Sequence, residues 1–287
     1  MRRLFALLLF VAPPAQGEET LEFARVGELV LKLDLHRPEV EKPPLVVYVH
    51  GGAWRAGSRE DVPILALLQH GYAIASVDYR LSTQARFPAQ IHDIKAAIRF
   101  LRAKADELRI DTTRITIIGS SAGGHLAALT GVTNGHAELE GRVGDHLDQS
   151  SRIDAIVSYY GASNLQSILG QSTEFGLGVR IPALKLLLGD LPENLPALAE
   201  LASPVAHLDA DDPPLLLLHG DADPQMPPAQ SAEFHDACTR AGVTARLVVL
   251  PGAKHGGEEF YDAARMQLVA EFLAKACGNE PKPRPLP

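Results

Sequence analysis

Cysteine is scarce in this chain: Cys238 and Cys277 are the only two in 287 residues. Two thiols cannot supply the roughly four ligands of a structural zinc site, while a disulfide and a pair of free buried thiols both remain open to them. Basic clusters are missing as well. The 27 lysines and arginines are interspersed among 35 acidic residues, which leaves no electrostatic footprint for nucleic acid or an anionic bilayer. No run past the N-terminus reaches the roughly 18 apolar residues that a membrane span requires, so no stable membrane insertion is expected. Internal repeats are also lacking. What these absences leave as the expected partner is a small-molecule or polymer-linked substrate.

With 46% apolar residues, the chain can bury one sizeable core, and one main domain over residues 18–277 is the expectation. The first residues, MRRLFALLLFVAPPAQG, carry an arginine pair, an apolar stretch from Leu4 to Ala12, a Pro13-Pro14 break and a small-residue end. That is the layout of a signal peptide over residues 1–17, which would make the protein secreted or periplasmic. The proline-rich stretch NEPKPRPLP implies a disordered tail over residues 278–287.

The alternation in LVLKLDL reads as edge strands between Leu21 and Leu35. Short apolar runs follow at Leu45–Val49, Ala73–Val77, Ile115–Ile118, Ala155–Tyr159, Leu215–Leu218 and Leu247–Leu250, as a sheet covered on both faces needs. Ile91, Ile94, Ile98 and Leu101 recur at helical spacing behind Pro88. Further helices are expected after Ser121, after Pro228 and from Glu258 to Lys275. Strands alternating with helices predict an α/β class, a mostly parallel, doubly wound sheet. Residues 164–205, rich in glycine and proline around PALKLLLGD, break the alternation and read as a lid insertion.

The run ending at Ile118 leads into GSSAG at 119–123 and then HLAAL. This is the strand–turn–helix setting of a nucleophile elbow. Only Ser121 has glycine two positions before and two after; Ser120 would need it at Ile118 and Ala122. Ser121 is therefore the candidate nucleophile. A serine hydroxyl needs a base, and the base needs an acid to hold its tautomer. HGDADPQMP places Asp221 and Asp223 past one strand, and PGAKHGG places His255 past the next. Loops at the carboxyl ends of parallel strands converge on one crevice, so Ser121, Asp223 and His255 can meet. Backbone donors for an oxyanion are expected from Ala122 and from Gly52 and Ala53 in YVHGGAWRAG. His50 is expected to orient that turn. Trp54 is a candidate for lining the substrate pocket, and packing under the turn would suit it equally.

Together HGGAW, VDYRLS, FPAQIHDIKAAIRFLR, IGSSAGGHLAAL, HGDADPQMP and PGAKHGG resemble α/β-hydrolase-fold serine esterases. They are most similar to the bacterial carboxylesterase and feruloyl-esterase-like (BD-FAE-like) group related to hormone-sensitive lipases. The resemblance runs from about Leu45 to Ala276. It departs from hormone-sensitive-lipase relatives in HGGA for HGGG and in GSSAG for GDSAG. It implies an α/β-hydrolase fold, hydrolysis of carboxylic esters through an acyl-enzyme, Asp223 rather than Asp221 as the acid, and neither a metal nor an organic cofactor. HGGxW is also similar to the turn of kynurenine formamidases, which would imply an amidase. Peptide hydrolysis of the prolyl-oligopeptidase type and ligand binding by a non-catalytic hydrolase-fold module compete with ester hydrolysis as well.

Overall fold

The structure, a computed structural model, describes residues 17–278. The expected signal peptide and tail lie outside the described residues except for Gly17 and Gly278. Eight strands form one sheet: β1 (Gly17–Val26), β2 (Leu29–Arg37), β3 (Pro44–Val49), β4 (Ala73–Val77), β5 (Asp111–Ser120), β6 (Ala155–Tyr159), β7 (Leu215–Gly220) and β8 (Ala245–Leu250). Their spatial order is β1-β2-β4-β3-β5-β6-β7-β8. The β1–β2 and β2–β4 pairs are antiparallel and every pair from β4 to β8 is parallel. The alternating stretch expected as edge strands is a hairpin, turned at Gly27 with φ of 58°.

The helices are α1 (Ala89–Ala103), α2 (Ala105–Leu108), α3 (Ala122–Val132), α4 (Ala137–Glu140), α5 (Ile168–Gln171), α6 (Glu174–Leu188), α7 (Pro196–Leu201), α8 (Pro228–Ala241) and α9 (Ala263–Ala276). None of them is long and apolar enough to cross a membrane. The strands are apolar on both sides because both faces are covered. Leu45, Val47, Val49, Ile115, Ile117, Leu215 and Leu217 face the core under α1, α3 and α8, while Val46, Tyr48, Ile118, Leu216 and Leu218 face the one under α9. At about 25 cal/mol per Å² of buried apolar surface, this two-sided core is the main force holding the strand ends in place.

Two details differ from the sequence reading. β8 is an edge strand with Val249 49% exposed, since an apolar run does not reveal whether a further strand covers it. The last helix begins at Ala263 rather than Glu258. The Asp262 carboxylate caps it by accepting the Arg265 N–H, after a 3₁₀ turn at Glu258–Phe260. Residues 164–205 are mostly helical, built from α5, α6, α7 and two 3₁₀ turns, and bury Leu184 and Leu187 in the main core. Cys238 and Cys277 are both free and buried, and burial pushes their thiols up, to about 12 and about 11.

Candidate active site

The parallel register brings the carboxyl ends of the central strands to one edge. Val49 pairs with Gly119, Ser120 with Tyr159, Tyr159 with Leu218, and Gly220 with Leu250. Every sequence-predicted site residue follows one of these ends. The turn after β5 is tight. Ser121 has φ 54° and ψ −117°, a conformation that costs a non-glycine residue on the order of 1–3 kcal/mol. The surroundings hold it there: its N–H donates to Tyr159 O at 2.9 Å, and its carbonyl accepts from His125 N–H at 3.0 Å. The flanking glycines are steric necessities. A Cβ on Gly119 would strike the Gly123 carbonyl, and one on Gly123 would strike that of Val49.

His255 reaches across from the loop after β8. Its Nε2 lies 2.8 Å from Ser121 Oγ, and its Nδ1 lies 2.7 Å from Asp223 Oδ2. An ionised carboxylate can only accept, so Nδ1–H donates to it and the bare Nε2 accepts the serine proton. Asp223 Oδ1 accepts the N–H groups of Gln225 at 2.8 Å and Met226 at 2.9 Å. Burial opposes its charge, but bonds from His219, from His255 and from the Met226 amide outweigh that and hold the carboxyl well below the usual range.

The HGGAW turn packs against the serine. A Cβ on Gly51 would lie 3.5 Å from Ser121 Cβ. Gly52, Ala53 and Trp54 all have positive φ, at 102°, 51° and 60°, and Gly52 O accepts from Arg55 and Ala56. Among the described residues nothing accepts from the amides of Gly52, Ala53 or Ala122, so all three stay available to a negative oxygen. His50 stacks on Tyr79 with centroids 4.4 Å apart, and its Nδ1–H donates to Gly51 O at 2.8 Å. Burial pushes its pKa down, which keeps the ring neutral.

Trp54 requires a correction. Expected as a pocket-lining residue, it is 0% exposed and is packed beneath the turn instead. Its indole N–H donates to His125 Nδ1 at 3.1 Å, and His125 Nε2–H donates to Ala202 O at 2.7 Å. This chain ties the turn to α3 and to the 164–205 insertion. No sequence signal singles out His125, because its partners lie 71 and 77 residues away.

Further neighbours of the site leave no mark in the sequence either. Buried His219 Nε2 is 3.3 Å from Asp223 Oδ2 and 3.1 Å from Met226 O, while its Nδ1 is 2.7 Å from Ser231 Oγ. Tyr160 packs its ring edge-on to His255 with centroids 4.8 Å apart, and its hydroxyl lies 2.6 Å from that of Tyr261. Ser120, the second serine of the elbow, is bonded to Tyr48 Oη at 2.8 Å. Asp221 Oδ1 accepts the Gly252 N–H at 2.7 Å and so braces the loop that carries His255.

A mostly parallel eight-stranded sheet, with a serine elbow, a carboxylate and a histidine on the ends of β5, β7 and β8, defines an α/β-hydrolase. The BD-FAE family profile matches residues 33–238, more than half of the sequence, and the chain belongs to that family. A profile described as TAP-like protein matches residues 196–283. The chain is 32% identical over 237 residues to esterase LipC of Mycobacterium tuberculosis, covering 80% of this chain and 57% of that protein. It therefore spans little more than half the length of such curated relatives. Among solved structures it resembles a truncated carbohydrate esterase from gut microbiota, with a TM-score of 0.81, 29% identity, and coverage of 93% of this chain and 100% of that one. It also resembles the propionate-bound Est2 esterase of Thermogutta terrifontis, with a TM-score of 0.76, 27% identity, and coverage of 93% and 97%.

Proposed function

We propose that this chain is an exported serine hydrolase that cleaves carboxylic esters. The observation that carries the activity is the unbroken hydrogen-bonded line from Ser121 Oγ through His255 to Asp223. His255 Nε2 takes the serine proton as Oγ attacks the ester carbonyl, and Asp223 stabilises the imidazolium that forms. The amides of Gly52, Ala53 and Ala122 receive the developing oxyanion, each donor contributing about a hundred- to a thousandfold in rate. His255 then protonates the leaving alcohol. The acyl group stays on Ser121 until water, deprotonated by the same imidazole, releases the acid. The fold of known esterases, shared over nearly the whole chain, supports ester rather than peptide substrates.

Similarity to a carbohydrate esterase and to an esterase holding propionate favours short acyl groups, including those on sugars. Export rests on the charged, then apolar, then small-residue pattern of residues 1–17. A burst of p-nitrophenol from p-nitrophenyl acetate tests the activity. Ser121→Ala is expected to lower turnover by about ten-thousandfold or more, and undiminished turnover in that variant would sink the assignment. Cell fractionation of the full chain tests export: recovery of an unshortened protein in the cytoplasm would remove that part alone.

A further inference from the structure

Arg180, on α6 of the 164–205 insertion, is 0% exposed. Its Nε–H donates to Gln225 O at 3.4 Å. Its Nη1 and Nη2 find no acceptor among the described residues. The guanidinium carbon stands 6.0 Å from the centre of the Trp54 ring, so the group lies between the HGGAW turn and the loop that carries Asp223. Burial pushes its pKa down to about 10; Asp223 is near enough to favour its charge and Arg55 near enough to oppose it. Arg55, half-buried on the same turn, makes no ion pair among the described residues.

An unpaired buried guanidinium loses its hydration without recovering it in bonds. Elsewhere this chain avoids that situation. Arg80 meets Asp93, and both Lys95 and Arg99 meet Glu140. Two arginines that repel each other, one of them with a free bidentate edge, lie beside the reactive serine's own machinery. That arrangement matches the planar geometry of a carboxylate. Both Nη atoms are closed to water, so a ligand reaches them only as α6 shifts. The helix is suited to that movement: Gly176, Gly178 and Pro182, all poor helix formers, lie within it, and Phe175 is 62% exposed.

We propose that Arg180, assisted by Arg55, is the recognition site for a carboxylate carried by the ester substrate, so that the preferred substrates are anionic esters. This rests on the esterase reading above and narrows it. The carboxylate could belong to the acyl chain or to the alcohol, and the two arms of the test separate these sources. In the first, kcat/KM is compared for the p-nitrophenyl monoester of adipic acid and for p-nitrophenyl hexanoate; in the second, for 4-acetoxybenzoate and phenyl acetate.

The full chain is expected to favour the anionic member of one pair by about tenfold or more. Arg180→Met should abolish that ratio and Arg180→Lys should keep part of it. Arg180→Met should also raise Tm, because it removes an unpaired buried charge, and a residue with only a structural role would lower it. Arg55→Ala, at a half-exposed position, gives a second reading of the ratio should the Arg180 variants fail to fold. Turnover of the neutral esters with no anionic preference in either arm, or a preference that survives Arg180→Met, would overturn the inference alone. Inertness toward all four esters would overturn the esterase reading instead.

Discussion

On the α1 side of the sheet, Lys95 and Arg99 are buried like Arg180, yet each meets a carboxylate. Lys95 Nζ donates to Thr133 O at 2.6 Å and to Glu140 Oε1 at 2.7 Å. Arg99 reaches Glu140 Oε2 at 3.3 Å and the carbonyls of Glu140 and Val143. Ser151 Oγ completes the carboxylate at 2.6 Å. This knot joins α1, α4 and the loop before β6, and its two cations share the one Glu140 carboxylate. At the other region, where α6 lies against the HGGAW turn and the Asp223 loop, the guanidinium has one weak bond and two unused nitrogens. Both regions bury cations, but among the described residues the guanidinium of Arg180 has no carboxylate within ion-pair distance, whereas Lys95 and Arg99 both reach one. The contrast separates charges that hold the fold together from charges kept ready for something that arrives.

The largest effect expected is at the matched knot. Glu140→Gln keeps the shape but removes the shared anion from Lys95 and Arg99, and a loss of about 3–5 kcal/mol in urea unfolding should follow. Combining it with Lys95→Met should recover part of that loss, since the orphaned charge is gone. If Glu140→Gln costs under about 1 kcal/mol, this fold tolerates unmatched cations freely and the idle nitrogens of Arg180 lose their meaning. Arg180→Met carries the opposite sign, so measuring the two variants side by side sharpens the comparison.

The site region also buries a histidine without any anion. Burial pushes the His125 pKa down from 6.5 to about 4. Between these values the unfolded chain binds a proton that the folded chain refuses. Stability must therefore fall as pH drops from about 6.5 to about 4, by about 3 kcal/mol in all. His50 is shifted in the same direction, also by burial, and adds to the slope. His125→Gln can still bond Trp54 and Ala202 but cannot titrate. Its unfolding free energy should change less between pH 7 and pH 4.5 than that of the native sequence, and equal slopes would show that His125 is not the group responsible.

Much of the site is legible in the sequence because it is written in short motifs at strand ends. GSSAG specifies its own strained turn, and parallel strands carry Asp223 and His255 to the same edge whatever lies between. The elements that escape such a reading depend on distant partners. Trp54 could be wall or packing from its own motif, and only His125, 71 residues on, decides for packing. Arg180 looks like an ordinary helical arginine, since no local pattern shows that its guanidinium ends beside a tryptophan of another loop. β8 reads like any interior strand because what covers it, or fails to, is not encoded in its own residues. Local backbone requirements leave marks in sequence; the choice of long-range partners does not.

The smallest effect expected concerns two aspartates two residues apart, both placed by the sequence past the end of β7. Asp223 holds His255 directly, whereas Asp221 is exposed and its carboxylate, among the described residues, bonds only the Gly252 amide, three residues before His255. Removing Asp221 leaves the line from Ser121 to Asp223 whole but releases one brace on the loop that delivers the imidazole. Asp221→Ala should therefore lower kcat by less than about tenfold, through looser placement, with KM and Tm nearly unchanged. Asp223→Ala strips His255 of the group that fixes its tautomer and should cost far more. Equal losses in the two variants would mean that the loop brace matters as much as the carboxylate itself, and that bracing belongs with the matched charges as part of what this fold must hold rigid.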